Sequence, residues 1–339
     1  MAPVESAAAR MRRQGLCNGF GAVRLGLACA IVAFHSVTLT HGSGNAMPPM
    51  VQAAARLILP AFFALSGFLV AGSLARAASL REFLLLRLLR LMPALSLVVL
   101  ITALLLGPLL THMALRDYFR DPLLPLYFHN VWGQPQFYLP GLFAANPRPG
   151  IVNGVLWTIP LEVACYIALA GLSLLPALRR PVLVMVALVL LIPGLGLANQ
   201  DFFASFTLGV LMFTVRAWLP LQPLVGFLSI AAALLLEYRF PALPLVALPL
   251  AYAVIWLGCR RVPVWLTRGD YSYGLYLCAY PLQQTLLVAM PGQGWGVNLA
   301  MGCLLGLGCA MLLWHGVGRP MLDRKHELVA RLDGRLARA

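Results

Sequence analysis

His35 and Glu162 are ionisable groups set deep inside apolar runs, His35 within LACAIVAFHS (27–36) and Glu162 within LWTIPLEVACY (156–166). Of the eleven acidic residues, the other ten fall in loops, tails or the ends of apolar runs. Burying such groups is costly without a partner or a task. An imidazole in that position is a titratable base. Arg24 stands eleven residues before His35. Eleven helical residues turn the chain about 1100°, three turns plus about 20°, and advance it about 16 Å. Arg24 and His35 therefore share one helix face, a cation at the cytoplasmic edge and a base further in. That line suits a ligand lying along the helix, although an orientation anchor and a satisfied interior histidine would show the same spacing.

Three further groups could line such a site. Arg87 and Arg90, in LLLRLLRLMP (84–93), share a face by their separation of three; simple anchoring is the plainer reading. Ser66 and Gly67, in LPAFFALSGFLVAGSL (59–74), form a small-residue notch where helices can approach closely. Ser272 and Tyr273, with Tyr271 and Tyr276, place hydroxyls at the start of DYSYGLYLCAYP (270–281), suited to a polar cavity or to an aromatic belt.

The elements that must hold these residues are membrane spans. A chain of 339 residues with 61% hydrophobic and 11% charged residues lies outside the soluble range. Its apolar residues come in blocks, and crossing a bilayer takes about 20 residues each. The expected fold is an all-α integral membrane protein of about ten transmembrane helices, near 20–39, 56–75, 88–110, 153–175, 181–198, 202–218, 223–238, 242–258, 270–290 and 297–317. With both termini in the cytoplasm, 20 of the 25 Lys and Arg residues fall on the inner side, as orientation by cations requires. Only Arg56, Arg116, Arg120, Arg148 and Arg239 remain opposite. The +14 net charge is thus spread over span ends, and nucleic acid is excluded as a partner. The layout is a cytoplasmic segment 1–19, a transmembrane domain 20–317 with an extracytoplasmic loop 111–152, and a basic cytoplasmic tail 318–339. No cleaved leader is expected after Arg10, Arg12 and Arg13, since the following apolar run is longer than a signal core. Aromatic residues of the loop, among them Tyr118, Phe119, Tyr127, Phe128, Trp132, Phe137, Tyr138 and Phe143, suit a sugar ring or the bilayer interface. The seven cysteines show neither paired nor metal-ligand spacing, so no disulfide and no metal are expected.

Taken in order, these segments resemble the membrane-bound acyltransferase 3 family, which O-acylates bacterial surface glycans. The resemblance rests on Arg24 with His35, on the element at Ser66-Gly67-Phe68-Leu69, and on Arg87-x-x-Arg90 before Pro93. It continues through NGVLWTIPLE (153–162) and SYGLYL (272–277), and so covers nearly the whole chain. Two positions depart from it. Many relatives have a histidine two residues before the proline that follows SYGLYL, where this chain has Ala279, then Tyr280 and Pro281. Many also carry a glutamate before the proline ending the last helix, where this chain has Gly318 and Arg319.

The resemblance implies a bacterial inner-membrane enzyme that takes an acyl group from cytosolic acyl-CoA, most commonly acetyl-CoA, to a sugar hydroxyl of an exopolysaccharide, an O-antigen or a lipid-linked glycan, within reach of polysaccharide assembly machinery. On that reading Arg87 and Arg90, with Arg24, meet the CoA phosphates through bidentate guanidinium contacts. His35 takes the proton of the attacking hydroxyl or carries the acyl group itself, and Glu162 orients the imidazole. Membrane lipids surround the bundle. A glycan carrier and a non-catalytic scaffold are the rival readings. The inverted repeat typical of carriers is not visible in the sequence.

Overall fold

The computed structural model describes residues 18–42, 47–174, 199–241, 243–263, 269–324 and 327. The expected span 181–198, the cations at 10, 12, 13, 179, 180, 268, 325, 331, 335 and 338, Cys17 and His326 lie outside these residues. The described chain is helical, and its one bridge between extended segments joins Tyr138 and Ile151.

Nine longer helices follow in order among the described residues: α1 Gly19–His41, α2 Pro49–Leu74, α3 Leu80–Leu110, α4 Thr158–Leu172, α5 Gln200–Thr214, α6 Pro223–Arg239, α7 Ala247–Gly258, α8 Tyr271–Ala289 and α9 Trp295–Asp323. Proline opens α2 and α6, where its fixed φ suits the first helical turn and its missing N–H leaves nothing unsatisfied. Pro60, Pro93 and Pro281 lie inside helices, as membrane helices tolerate. Two π turns, Thr102–Leu106 in α3 and Trp314–Gly318 in α9, interrupt the regular winding.

Four helices, α1, α2, α3 and α9, are long and apolar enough to cross a membrane. This is a membrane protein. The described residues do not establish ten spans. The runs expected at 153–175, 202–218, 223–238 and 242–258 appear as helices of 15, 15, 17 and 12 residues, shorter than the ~20 that a crossing takes. At 153–157 the cause is local. The buried Asn153 sends its amide to the Leu277 carbonyl (2.9 Å) and holds the chain out of helix until Thr158.

The chain divides into two compact units. The first is built from Met1–Leu27, Met47–Leu80 and Cys165–Arg268, the second from Ala28–Ala46, Arg81–Ala164 and Gly269–Ala339.

In the first unit α2 packs against α5, α6 and α7, around a core that includes Phe20, Phe68, Met212, Ile255 and Trp256. A Cβ on Gly67 would strike the Phe206 carbonyl, and one on Gly209 would strike the Ala64 carbonyl. The two glycines thus bring α2 and α5 together backbone to backbone, and packing is the role of the notch at Ser66 and Gly67. The same unit holds a buried ion pair. Arg56 Nε donates to Glu237 Oε1 at 2.5 Å, and only 7% of the Glu237 side chain is exposed. Glu237 stands in the last turn of α6, at the run end where the sequence puts it, and its side chain is buried against Arg56.

The second unit packs α3, α8 and α9 with the segment 111–157 around Leu95, Val99, Tyr118, Tyr127, Leu142 and Leu277. Gly274 of α8 lets the Ala310 backbone of α9 come close. Tyr118 and Tyr127 are fully buried, and the Tyr118 hydroxyl donates to the Ala103 carbonyl at 2.6 Å. Burial pushes the Tyr118 phenol up to about 12. These two, with Phe143 at 4% exposure, are core residues and not the interfacial or sugar-facing aromatics that composition suggests. Trp132 is 82% exposed. Six described cysteines are free thiols, two pairs of which touch in this unit, Cys29 with Cys303 and Cys278 with Cys309.

Candidate functional site

His35 sits six residues before the end of α1, partly buried, with Phe34 against one side. Its other neighbour is Tyr280 of α8, whose ring meets the imidazole edge-on, centroids 4.9 Å apart and planes at 78°. A Cβ on Gly154 would lie 2.8 Å from the Tyr280 ring, so the glycine of the NGVLW element opens the space this phenol occupies. Tyr280 thus stands against the base, one residue after Ala279, the position where the family pattern leads one to expect a histidine.

The turn of α1 carrying His35 is held from α8. Gln283, fully buried, directs Nε2 at the Val32 carbonyl (3.0 Å), at Ser36 Oγ (2.7 Å) and at Asn298 Oδ1 of α9 (3.0 Å). Asn298 returns its own amide to the Gln283 carbonyl at 3.1 Å. Ser36 also donates to Val32 O at 2.8 Å. Gly302 makes room for the glutamine, since a Cβ there would lie 2.8 Å from Gln283 Cγ. These amides escape a search confined to ionisable residues. Two adjacent glutamines within an apolar helix, Gln283 and Gln284, are the signal that would have found them, because unpaired amides are expensive in a bilayer.

Glu162 lies on the first turns of α4, partly buried, with its charge acting on the Tyr276 hydroxyl. Tyr276 donates to the Val155 carbonyl at 3.1 Å and shares a hydrogen bond with Thr158 Oγ1 at 2.6 Å. Tyr276 precedes Tyr280 by one turn of α8, so the hydroxyl that feels the Glu162 charge stands one turn from the ring against His35. Arg24 lies on α1 with His35, and the eleven-residue spacing follows one continuous helix.

The arginine pair stands on the first half of α3, and α8 supplies what faces it. Arg90 forms an ion pair with Asp270, and Ser272 Oγ donates to the same carboxylate at 2.8 Å. Tyr273 anchors the arrangement by donating to the Leu91 carbonyl at 3.1 Å. Arg90, Asp270, Tyr273, Trp314 and Gly318 line one small open cleft of about 30 Å³, room for a water or two. Ser272 and Tyr273 therefore belong with Arg90. Ser66, on α2 of the first unit, belongs to the helix notch. Asp270, which the sequence places at the end of an apolar run, is the partner of Arg90 that sequence reading passed over.

The arrangement offers a base on a braced helix, a carboxylate one turn away along α8, and a guanidinium cleft between α3, α8 and α9. The chain matches the acyltransferase 3 family, described as an acyltransferase domain, over residues 18–315. It is similar to an O-acetyl transferase of Shigella phage Sf6, 27% identical over 340 residues that cover 91% of this chain and 96% of the relative. No solved structure matches. The protein belongs to the acyltransferase 3 family and is a membrane acyltransferase.

Proposed function

We propose that the protein is an O-acyltransferase that moves an acetyl group from cytosolic acetyl-CoA to a sugar hydroxyl of a surface or lipid-linked glycan. The observation that carries this reading is the placing of His35, a base braced by Gln283 and backed by Tyr280, in a chain similar to an O-acetyl transferase. His35 takes the proton of the acceptor hydroxyl, and the oxygen attacks the thioester carbonyl. The tetrahedral intermediate collapses with cleavage of the carbon–sulfur bond, and the CoA thiolate takes the proton back from the imidazolium. An imidazole suits both transfers, as base in its neutral form and as acid once it holds the proton.

Arg87 and Arg90 serve the donor from the inner side. A CoA phosphate would share the Arg90 guanidinium with Asp270 or displace it, which makes Asp270 a placeholder for the anion. Glu162 acts on His35 through the α8 face that carries Tyr276 and Tyr280. The remaining layout follows the charge distribution: ten spans in a bacterial inner membrane, both termini inside, and residues 111–152 facing outward to the acceptor. Membranes supplied with labelled acetyl-CoA are expected to deposit alkali-labile label on saccharide, and His35→Ala is expected to abolish it at unchanged protein level. Wild-type labelling in that variant would remove His35 as the base.

A further inference from the structure

Arg148 is a charged residue that neither the fold nor the proposed chemistry uses. Its main chain is held on α8 at Gln284, one turn from Tyr280, the residue whose ring meets His35, and among the described residues no carboxylate pairs with it. Arg148 is partly exposed, and the loop that carries it is firmly built. Gln284, fully buried, donates Nε2 to the Arg148 carbonyl at 3.0 Å and to the Ile151 carbonyl at 2.8 Å. Asn146 closes the other side, its amide reaching the carbonyl of Gln284 at 3.0 Å and its Oε1 at 2.8 Å. Behind the loop, Val152 N–H donates to the Phe137 carbonyl at 2.7 Å, and Tyr138 bridges to Ile151. At its tip, Gly42, with φ +76°, lets the Pro147 carbonyl rest on the end of α1; a Cβ there would lie 3.1 Å away.

The two neighbouring glutamines of α8 thus do complementary work. Gln283 holds the turn of α1 that carries His35, and Gln284 holds the loop that carries Arg148. One helical turn holds both the turn that carries the base and the main chain that carries the cation, with Tyr280 against the base. A braced cation of this kind, without an internal counter-ion, is how proteins recognise an anionic group of a ligand.

We infer that Arg148 is the anion-recognition residue of the acceptor half of this site, and that the acceptor saccharide carries a carboxylate or phosphate close to the hydroxyl that is acylated. The inference rests on the acyl-transfer reading above and deepens it by naming the acceptor class. The cation attracts the charged sugar, sets its orientation toward His35, and discriminates against neutral glycans that would leave the guanidinium unpaired.

The test uses the full-length protein in detergent–lipid micelles with labelled acetyl-CoA and three acceptors: a uronic-acid oligosaccharide, the same oligosaccharide after carboxyl reduction, and a neutral oligosaccharide on polyprenyl diphosphate. The wild type is expected to use at least one anionic acceptor tenfold or more better, in kcat/KM, than the reduced one. The preferred anionic acceptor identifies the source of the charge as sugar carboxylate or lipid diphosphate. Arg148→Gln is expected to erase that preference through the acceptor KM, leaving the acetyl-CoA KM unchanged, and Arg148→Lys to keep part of it. Equal use of neutral and anionic acceptors by the wild type would overturn the inference. So would an Arg148→Gln variant that melts like the wild type yet keeps the preference, or loses turnover on all three acceptors alike. Absence of transfer to any acceptor, with wild type and His35→Ala indistinguishable, would instead overturn the acyl-transfer reading itself.

Discussion

Replacing Gln283 by Leu tests whether the amide cluster braces the catalytic turn. Leucine roughly fills the space of the glutamine, so the change removes polar atoms while leaving little cavity. Nε2 carries two hydrogens and faces three acceptors, Val32 O, Ser36 Oγ and Asn298 Oδ1, at 2.7 to 3.0 Å. At most two full-strength hydrogen bonds are lost. Inside membrane proteins such bonds average about 0.6 kcal/mol and reach about 1.7, which bounds the direct loss at about 1–3 kcal/mol. Ser36 Oγ and Val32 O keep their mutual hydrogen bond at 2.8 Å and Asn298 Nδ2 keeps the Gln283 carbonyl at 3.1 Å, so of the three acceptors Asn298 Oδ1 is the one without another of these bonds. A loss of about 2 kcal/mol is therefore expected, read as a lower SDS midpoint for unfolding in mixed micelles. Acetyl transfer should slow with the acetyl-CoA KM unchanged, because the turn carrying His35 is loosened and the arginine cleft is not. An unchanged midpoint with full transfer would show that the cluster bears no strain from α1 and would refute this account.

The double substitution Arg87→Ala, Arg90→Ala is expected to raise the acetyl-CoA KM at least tenfold, checked by initial rates against donor concentration. Asp270→Asn should lower that KM by releasing Arg90 to the donor; a rise would mean that the carboxylate orients the arginine and does not compete with the phosphate. Glu162→Gln should cut turnover about tenfold with normal membrane insertion, and undiminished turnover would remove its role. Gly67→Val should cost about 3 kcal/mol or more, because the added side chain meets the Phe206 backbone, which cannot rotate away. Wild-type protein levels and melting in that variant would contradict the close approach of α2 and α5.

Apolar block length gave the membrane class and the places of α1, α2, α3 and α9, because twenty-odd apolar residues have few other uses. It served less well for α4 to α7. There the helices are short, and a run such as 153–157 is held in turns beside a single buried asparagine that no hydropathy window registers. Ionisable residues inside spans pointed to His35, and spacing put Arg24 on the same helix. The amides Gln283, Gln284 and Asn298 were invisible to that filter although they arrange the site, since their cost in a bilayer is hidden once each finds a partner. Asp270 and Glu237 were hidden differently. Each lies at the end of an apolar run, and only the partner distant in sequence, Arg90 or Arg56, shows that the position is interior.

The reciprocal seating of Gly67 on the Phe206 carbonyl and Gly209 on the Ala64 carbonyl limits how the first unit can deform. Two rods touching main chain to main chain have no flexible side chains between them to slide on or to swing aside. Within their unit α2 and α5 must travel as one plank, and whatever gap admits a bulky reactant there has to open along some other seam.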